Sequence, residues 1–263
     1  MALCPDELDA IAEHLLSAEA ERREVPSLAQ THGELSLDEG YQVQDEIIAR
    51  KLKAGDRLIG WKLGLTSKEK QKAMGVFEPV YGALFASTLL PECEVNVSEL
   101  IHPRVEPEIA VVMGEDLEGP DVTPAQALAA VRWVLPALEV IDSRYKDFKF
   151  TLPDVVADNA STARAVTGTR PVPAEGLDLA TIGVVFLKNG ELITTAAGAA
   201  VLGDPAIALA RLANHLARRG QKLKAGQLVF TGALTAATFV APGDVVEARF
   251  AALGSVSLRV VAR

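Results

Sequence analysis

Arg104-Val-Glu-Pro-Glu-Ile-Ala-Val-Val-Met113 reads as a β-strand, and its alternation sets what must surround it. Successive side chains on a strand point to opposite faces, so Glu106 and Glu108 share one face while Val105 and Ile109 share the other. Ionised carboxylates beside a run as apolar as 109–113 are costly to bury unless something positive compensates them. Glu139 repeats the signal, standing alone in Val134-Leu-Pro-Ala-Leu-Glu-Val-Ile141. Three such carboxylates would make a hard oxygen site for Mg²⁺, with Mn²⁺ as the alternative, and would leave positions for water and a chelating substrate. A competing reading places Glu106 and Glu108 on a solvated edge and pairs Glu139 with an arginine; the pattern alone leaves both open.

On either side of this stretch the chain is rich in short strand patterns. Residues 58–65, 134–142, 182–188 and 191–195 read as strands, the last two flanking Asn189-Gly190, the strongest hairpin signal in the sequence. Thr66 and Glu69 have the spacing to cap a short helix after the first of them. Asp204-Pro205 supplies an N-cap and first-turn proline for a helix expected to stop at Gly220. Residues 228–232, 245–250 and 255–261 close the chain as strands, with a turn at Pro242-Gly243-Asp244. Strands and helices do not alternate regularly, so the expected fold is α+β, a mixed, rolled or barrel-like sheet with peripheral helices rather than a doubly wound or (β/α)₈ fold.

The N-terminal part differs. Leu8, Ile11, Leu15 and Leu16 fall on one helical face, and a second periodic stretch follows Ser36, which has capping-box spacing to Glu39. The expected division is a helical part over 1–56 and a β-rich catalytic domain over 57–263. With 263 residues, a substantial core is available without staples. Cys4 and Cys93 are the only cysteines, which fits neither a zinc site nor a disulfide framework and suits a reducing cytoplasm. A net charge of −9 argues against nucleic acid as a partner. Acidic residues from Asp6 to Glu13 argue against a signal or transit peptide, and no apolar run approaches membrane-spanning length, so the expected compartment is the cytoplasm.

Other candidates are less decided by pattern. Lys62, in Gly60-Trp-Lys-Leu-Gly64, could meet a substrate carboxylate or a developing enolate oxygen, or could be a surface lysine. Asp158-Asn-Ala-Ser161 could be an active-site loop or a plain turn. His14 and His215 fall in expected helices, His32 in a loop and His102 near the carboxylate strand; none forms an evident His–Glu or Ser–His pair, so nucleophilic hydrolysis has little support. No phosphate-cradling glycine motif is present, which argues against a nucleotide cofactor.

With these residues in hand, the chain resembles the family of 2-hydroxypentadienoate hydratases and 4-oxalocrotonate decarboxylases, related to the fumarylacetoacetate hydrolase fold. The resemblance runs nearly end to end and rests on Gly60-Trp-Lys-Leu-Gly-Leu-Thr-Ser67, Pro103-Arg-Val-Glu-Pro-Glu108, Pro136-Ala-Leu-Glu-Val-Ile-Asp-Ser-Arg144, Val156-Ala-Asp-Asn-Ala-Ser161 and Leu253-Gly-Ser-Val256. It implies a sheet of the fumarylacetoacetate hydrolase type, Mg²⁺ held by Glu106, Glu108 and Glu139, a catalytic Lys62, and a Ser161 that helps hold the substrate. It also implies a homo-oligomer and association with a hydratase.

Within that family, Gly75-Val-Phe-Glu-Pro-Val-Tyr-Gly82 separates the branches. Hydrating members look like Pro-Asp-Phe/Tyr-Gly here, and this chain has Val80 in place of the acid. Adding water across a double bond needs proton transfers that a carboxylate assists, whereas decarboxylation needs mainly an electron sink and an apolar wall. Ile141-Asp-Ser-Arg-Tyr-Lys-Asp-Phe-Lys-Phe150 also resembles the decarboxylase branch. The implied reaction is metal-dependent conversion of the dicarboxylate 2-oxo-3-hexenedioate (4-oxalocrotonate) to 2-hydroxypenta-2,4-dienoate and CO₂, in meta-cleavage catabolism of aromatic compounds. Val80 and Tyr81 would flank the substrate, Arg144 or Lys149 would steer its far carboxylate, and Lys62, Tyr81 or water would protonate the product. The rival readings are a hydratase of the same fold, a non-catalytic partner of a hydratase, and an acylpyruvate hydrolase.

Overall fold

The structure is a computed structural model that describes residues 3–73 and 78–263. Three helices come first, α1 (Pro5–Glu21), α2 (Leu28–Thr31) and α3 (Leu37–Lys53). The expected capping box opens α3: the Glu39 N–H donates to Ser36 Oγ at 3.3 Å and the Ser36 N–H to Glu39 Oε2 at 2.7 Å. Next come β1 (Leu58–Gly64), α4 (Lys68–Ala73), β2 (Val80–Phe85), β3 (Glu94–Asn96), β4 (Arg104–Met113), α5 (Pro124–Ala129) and β5 (Val131–Ile141). The chain continues through α6 (Leu152–Ala157), β6 (Thr162–Thr167), β7 (Val172–Pro173), β8 (Gly183–Lys188), β9 (Glu191–Ala197) and α7 (Pro205–Arg218). It ends with β10 (Leu228–Ala233), β11 (Thr238–Phe239), β12 (Val245–Phe250) and β13 (Gly254–Val261).

Among the described residues the strands form two mixed sheets. The larger runs β2-β1-β10-β4-β5-β6, with β11 beside β4 and β7 beside β5, and only its β1–β10 pair is parallel. The smaller runs β3-β13-β12-β8-β9. Asn189 and Gly190, at φ 56° and 81°, form the expected tight turn between β8 and β9. Asp204 caps α7 by accepting from the Ala206 N–H at 2.8 Å.

Alternation gives the larger sheet two apolar faces. Val105, Ile109, Val111, Val134, Leu138 and Val140 point into the main core, which β12, β13 and α7 also line. The other face carries Leu84, Ala110, Leu135, Ala137, Ala165, Leu228 and Phe230, a separate apolar cluster. The N-terminal helices bury Ile11, Leu15, Leu28, Val43 and Ile47 with Tyr145 and Ala157, while α3 also sends Tyr41 and Ile48 into the main core.

One expected cap is corrected. Since α4 begins at Lys68, Ser67 and not Thr66 precedes it, and the Gln71 N–H bonds back to the Ser67 carbonyl at 2.9 Å. The Glu69 side chain lies outside the described residues, as do residues 75–77 of the branch-distinguishing stretch. Among the described residues no helix is long and apolar enough to cross a membrane.

Candidate metal centre

β4 and β5 are antiparallel and in register with Glu106 opposite Glu139 and Glu108 opposite Ala137. Directly opposed residues share a face, so the three glutamates converge on the face that also carries Ala110 and Leu135. Each offers a carboxylate oxygen within 4.8 Å of the others, and all three are buried, Glu108 and Glu139 completely. The solvated-edge reading is thereby excluded for Glu106 and Glu108.

Lys62 arrives on the same face from β1, whose register runs through β10 to β4: Lys62 lies beside Phe230, and Phe230 beside Ala110. It is buried, with 2% of its side chain exposed, so the surface reading fails. Its Nζ donates to the Ala160 carbonyl at 3.1 Å and is ion-paired with Glu139 Oε2 at 3.0 Å. Glu139 thus pairs with a cation, and that cation is a lysine. Glycines allow the close approach. A Cβ at Gly60 would stand 1.7 Å from the Leu228 carbonyl oxygen of the parallel neighbour, and one at Gly82 would stand 2.6 Å from the Asn159 carbonyl oxygen.

The electrostatics are those of a site short of positive charge. Burial, reinforced by repulsion from Glu139 and Glu106, pushes Glu108 well above the usual carboxylate range. Burial raises Glu139 too, with Lys62 opposing and Glu106 reinforcing. For Lys62 burial acts to lower the ammonium, but the three carboxylates outweigh it and hold the group above the ordinary lysine value. Glu108 Oε2 accepts the Gly232 N–H at 2.8 Å, whereas Glu108 Oε1 and Glu139 Oε1 are buried and have no hydrogen-bond donor among the described residues. Buried carboxylate oxygens in that condition, all hard donors, fit a divalent cation such as Mg²⁺.

The remaining candidates divide. Val80 pairs with Gly64 and stands two residues from Gly82, the partner of Lys62, so its side chain shares the Lys62 face; it is buried. Tyr81 is opposite Leu63 and points the other way, stacking on His215 with ring centroids 4.2 Å apart. Strand alternation thus puts the Tyr81 ring on the face opposite to Lys62. Val80, Tyr81 and His215 line a cavity of about 500 Å³ that none of the three glutamates lines.

Arg144 follows the end of β5. It is buried, with Nε ion-paired to Asp158 Oδ1 and Nη2 donating to the Asp158 carbonyl at 2.6 Å, so its guanidinium is engaged within the fold. Lys149 is exposed beside Asp147. Ser161 is buried and donates from Oγ to Asp158 Oδ2 at 3.3 Å. His102 meets Glu24 at 3.0 Å, a contact between distant segments that spacing could not reveal.

Two features were missed in the sequence. Arg104 shares the face of Glu106 and Glu108 by the same alternation, and its guanidinium lies between the rings of Phe148 and Phe239, at 3.8 and 4.1 Å; the period-two pattern was enough to place it there. Asn159 ties the 158–161 turn to β2 through both ends of its carboxamide, and no sequence signal identifies that partner.

Comparison with known proteins extends this picture. The family described as Fumarylacetoacetate (FAA) hydrolase C-terminal matches residues 61–261. A 4-oxalocrotonate decarboxylase of Pseudomonas putida is 47% identical over 96% of each chain. A 2-keto-4-pentenoate hydratase of Paraburkholderia xenovorans (strain LB400) is 38% identical over 97% of this chain and 95% of its own. The solved structure of the 4-oxalocrotonate decarboxylase from Pseudomonas putida G7, complexed with magnesium and adipate, superposes with a TM-score of 0.96 at 44% identity, covering 99% of each chain. The curled mixed sheet, the buried glutamates on its inner face and a family match across most of the chain agree: this protein belongs to the fumarylacetoacetate hydrolase family.

Proposed function

We propose that this chain is a Mg²⁺-dependent carboxy-lyase that converts 2-oxo-3-hexenedioate (4-oxalocrotonate) to 2-hydroxypenta-2,4-dienoate and CO₂. The observation that carries the reading is the buried trio of Glu106, Glu108 and Glu139 with Lys62 against it, in a chain nearly half identical to a decarboxylase along its length. When bound, Mg²⁺ would be held by those three glutamates and would supply a Lewis acid for the 2-oxo-acid end of the substrate.

The far carboxylate of this substrate is a vinylogous β-keto acid. Breaking the C5–C6 bond releases CO₂ and sends the electron pair through the alkene to the 2-oxo oxygen, which then takes up a proton. Lys62, kept protonated by the surrounding carboxylates, is positioned on the same face to stabilise charge on that oxygen. Val80 adds an apolar wall there, which disfavours a carboxylate and so favours its loss as neutral CO₂. We assign Ser161 to the substrate-facing wall, on the turn that presents the Ala160 carbonyl to Lys62. Residues 57–263 carry the chemistry in this reading, and the helical part, 1–56, braces the wall behind the Arg144–Asp158 pair. A homo-oligomer, a complex with a 2-hydroxypentadienoate hydratase and a cytoplasmic location complete the proposal.

The hydratase reading draws on relatives of the same length, such as the enzyme from Paraburkholderia xenovorans. Offering the purified protein each substrate separately decides between them. The proposal expects the dienoate to accumulate from 2-oxo-3-hexenedioate and supplied dienoate to remain unhydrated; conversion of the dienoate to 4-hydroxy-2-oxopentanoate without CO₂ release would replace it with the hydratase.

A further inference from the structure

A lysine ammonium ends a flexible four-carbon stem, and its direction is set by the acceptors that engage it. Lys62 has two: Glu139, a member of the carboxylate trio, and the Ala160 carbonyl, which comes from a turn and not from the sheet. That carbonyl faces Lys62 because of an uncommon backbone. Asn159, Ala160 and Ser161 are consecutive residues with φ of 49°, 53° and 57°. The left-handed region is disfavoured for non-glycine residues, so three in a row persist only where the surroundings hold them.

The turn is held from three sides. Its first residue, Asp158, is fixed by the buried Arg144 ion pair. Its last, Ser161, donates its N–H to the Asp158 carbonyl and accepts the Asp142 N–H, both at 2.9 Å. The middle is held by Asn159: Nδ2 donates to the Ala83 carbonyl at 3.0 Å and Oδ1 accepts the Ala83 N–H at 2.7 Å. The carboxamide thus takes the place of a neighbouring strand along β2, which pairs with the strand that carries Lys62. The fit is close, because a Cβ on Gly82 would stand 2.6 Å from the Asn159 carbonyl oxygen.

We propose that Asn159 is a positioning residue for Lys62: by clamping the left-handed turn to β2 it aims the Ala160 carbonyl and so fixes the ammonium over the carboxylates. The kinetic part of this inference rests on the carboxy-lyase reading; the geometric part does not. In Asn159→Ala, kcat is expected to fall about 10- to 100-fold with KM within about threefold, as for a misplaced catalytic group. Mg²⁺ affinity, measured by calorimetry, stays within about threefold, because the glutamates sit on β4 and β5. Gly82→Ala, which crowds the turn without removing a hydrogen bond, lowers kcat in the same way. In a Lys62→Met background, Asn159→Ala has no further effect on residual activity.

A crystal structure of Asn159→Ala, or of Gly82→Ala if only that variant folds, should find Lys62 Nζ displaced from the Ala160 carbonyl. A Lys62 that keeps its place overturns the proposal whatever reaction the wild-type protein performs. Equal losses in the Lys62 and Lys62→Met backgrounds overturn it too, since they mark a general structural effect. Absence of CO₂ release by the wild type removes the carboxy-lyase reading alone, and the displacement of Lys62 still decides the inference.

Discussion

Lys62 and Glu139 lie 3.0 Å apart although two strands, β10 and β4, separate the strands that carry them. Neighbouring strands are about 4.8 Å apart, so a flat sheet would hold these backbones about 14 Å from each other. The contact needs long side chains and an inward curl, and that curl gathers the site. Lys62→Met leaves the buried carboxylates with less compensation. It should lower kcat about 10²- to 10³-fold and destabilise the metal-free protein by about 3 kcal/mol, read by urea denaturation. The Lys62 ammonium is held above its ordinary value, 10.5, so the contribution of its ionisation to stability is present below 10.5 and is lost as pH rises through that raised value.

Glu108 tests the metal assignment from the opposite direction. Its carboxylate is buried and pushed well above the usual range by burial and by its two neighbours. Glu108→Gln therefore removes repulsion, and the metal-free variant should be more stable than wild type by about 1–2 kcal/mol. The same change removes an anionic ligand, so the rise in melting temperature expected of wild type on adding Mg²⁺ should shrink or vanish. Thermal unfolding with EDTA and with excess Mg²⁺ reads both effects.

Val80 shares the face of Lys62, and Val80→Asp places a carboxyl there. Decarboxylation should drop about 10-fold or more as the apolar wall acquires charge, and slow hydration of 2-hydroxypenta-2,4-dienoate should appear. Product analysis by mass spectrometry checks both. Loss of decarboxylation with no gain of hydration would restrict Val80 to packing.

Most of the site was legible where chemistry and period coincide. Glu106 and Glu108 stand out because a strand rich in valine has no local reason to carry two acids on one face, and Glu139 stands out in the same way. Ser36 with Glu39, Asp204-Pro205 and Asn189-Gly190 are local devices whose partners lie within a few residues, and each forms as expected. The surroundings of Arg144 and Tyr81 were not legible, for a different reason. The burial of Arg144 depends on Asp158, fourteen residues away, and the side on which Tyr81 lies depends on the register of β2 against β1. Long-range pairing decides both, and composition carries no trace of it. The Asn159 clamp on Ala83 is of the same kind, 76 residues apart in sequence.

His215 supplies a prediction on stability. Burial, aided by Arg219 and Arg218, lowers its imidazole from 6.5 to about 3, between the rings of Tyr41 and Tyr81. The unfolded chain therefore binds a proton that the folded chain refuses between those values, and stability falls as pH falls through that window. His215→Phe keeps a ring in the stack and removes the titration. The stability advantage of the variant over wild type should grow as pH falls from about 6.5 toward 3, and parallel urea curves at stepped pH would reveal it. A difference that stays constant with pH would mean that His215 titrates alike in both states.

Loss of CO₂ is expected to be coupled to the buried glutamates through the metal they would hold. The most direct test is to strip the purified protein of divalent ions, supply 2-oxo-3-hexenedioate with no hydratase present, and follow CO₂ before and after adding Mg²⁺. Release should be negligible from the stripped protein and rapid, with equimolar 2-hydroxypenta-2,4-dienoate, once Mg²⁺ is restored. Full activity in the stripped protein would contradict a metal-dependent carboxy-lyase.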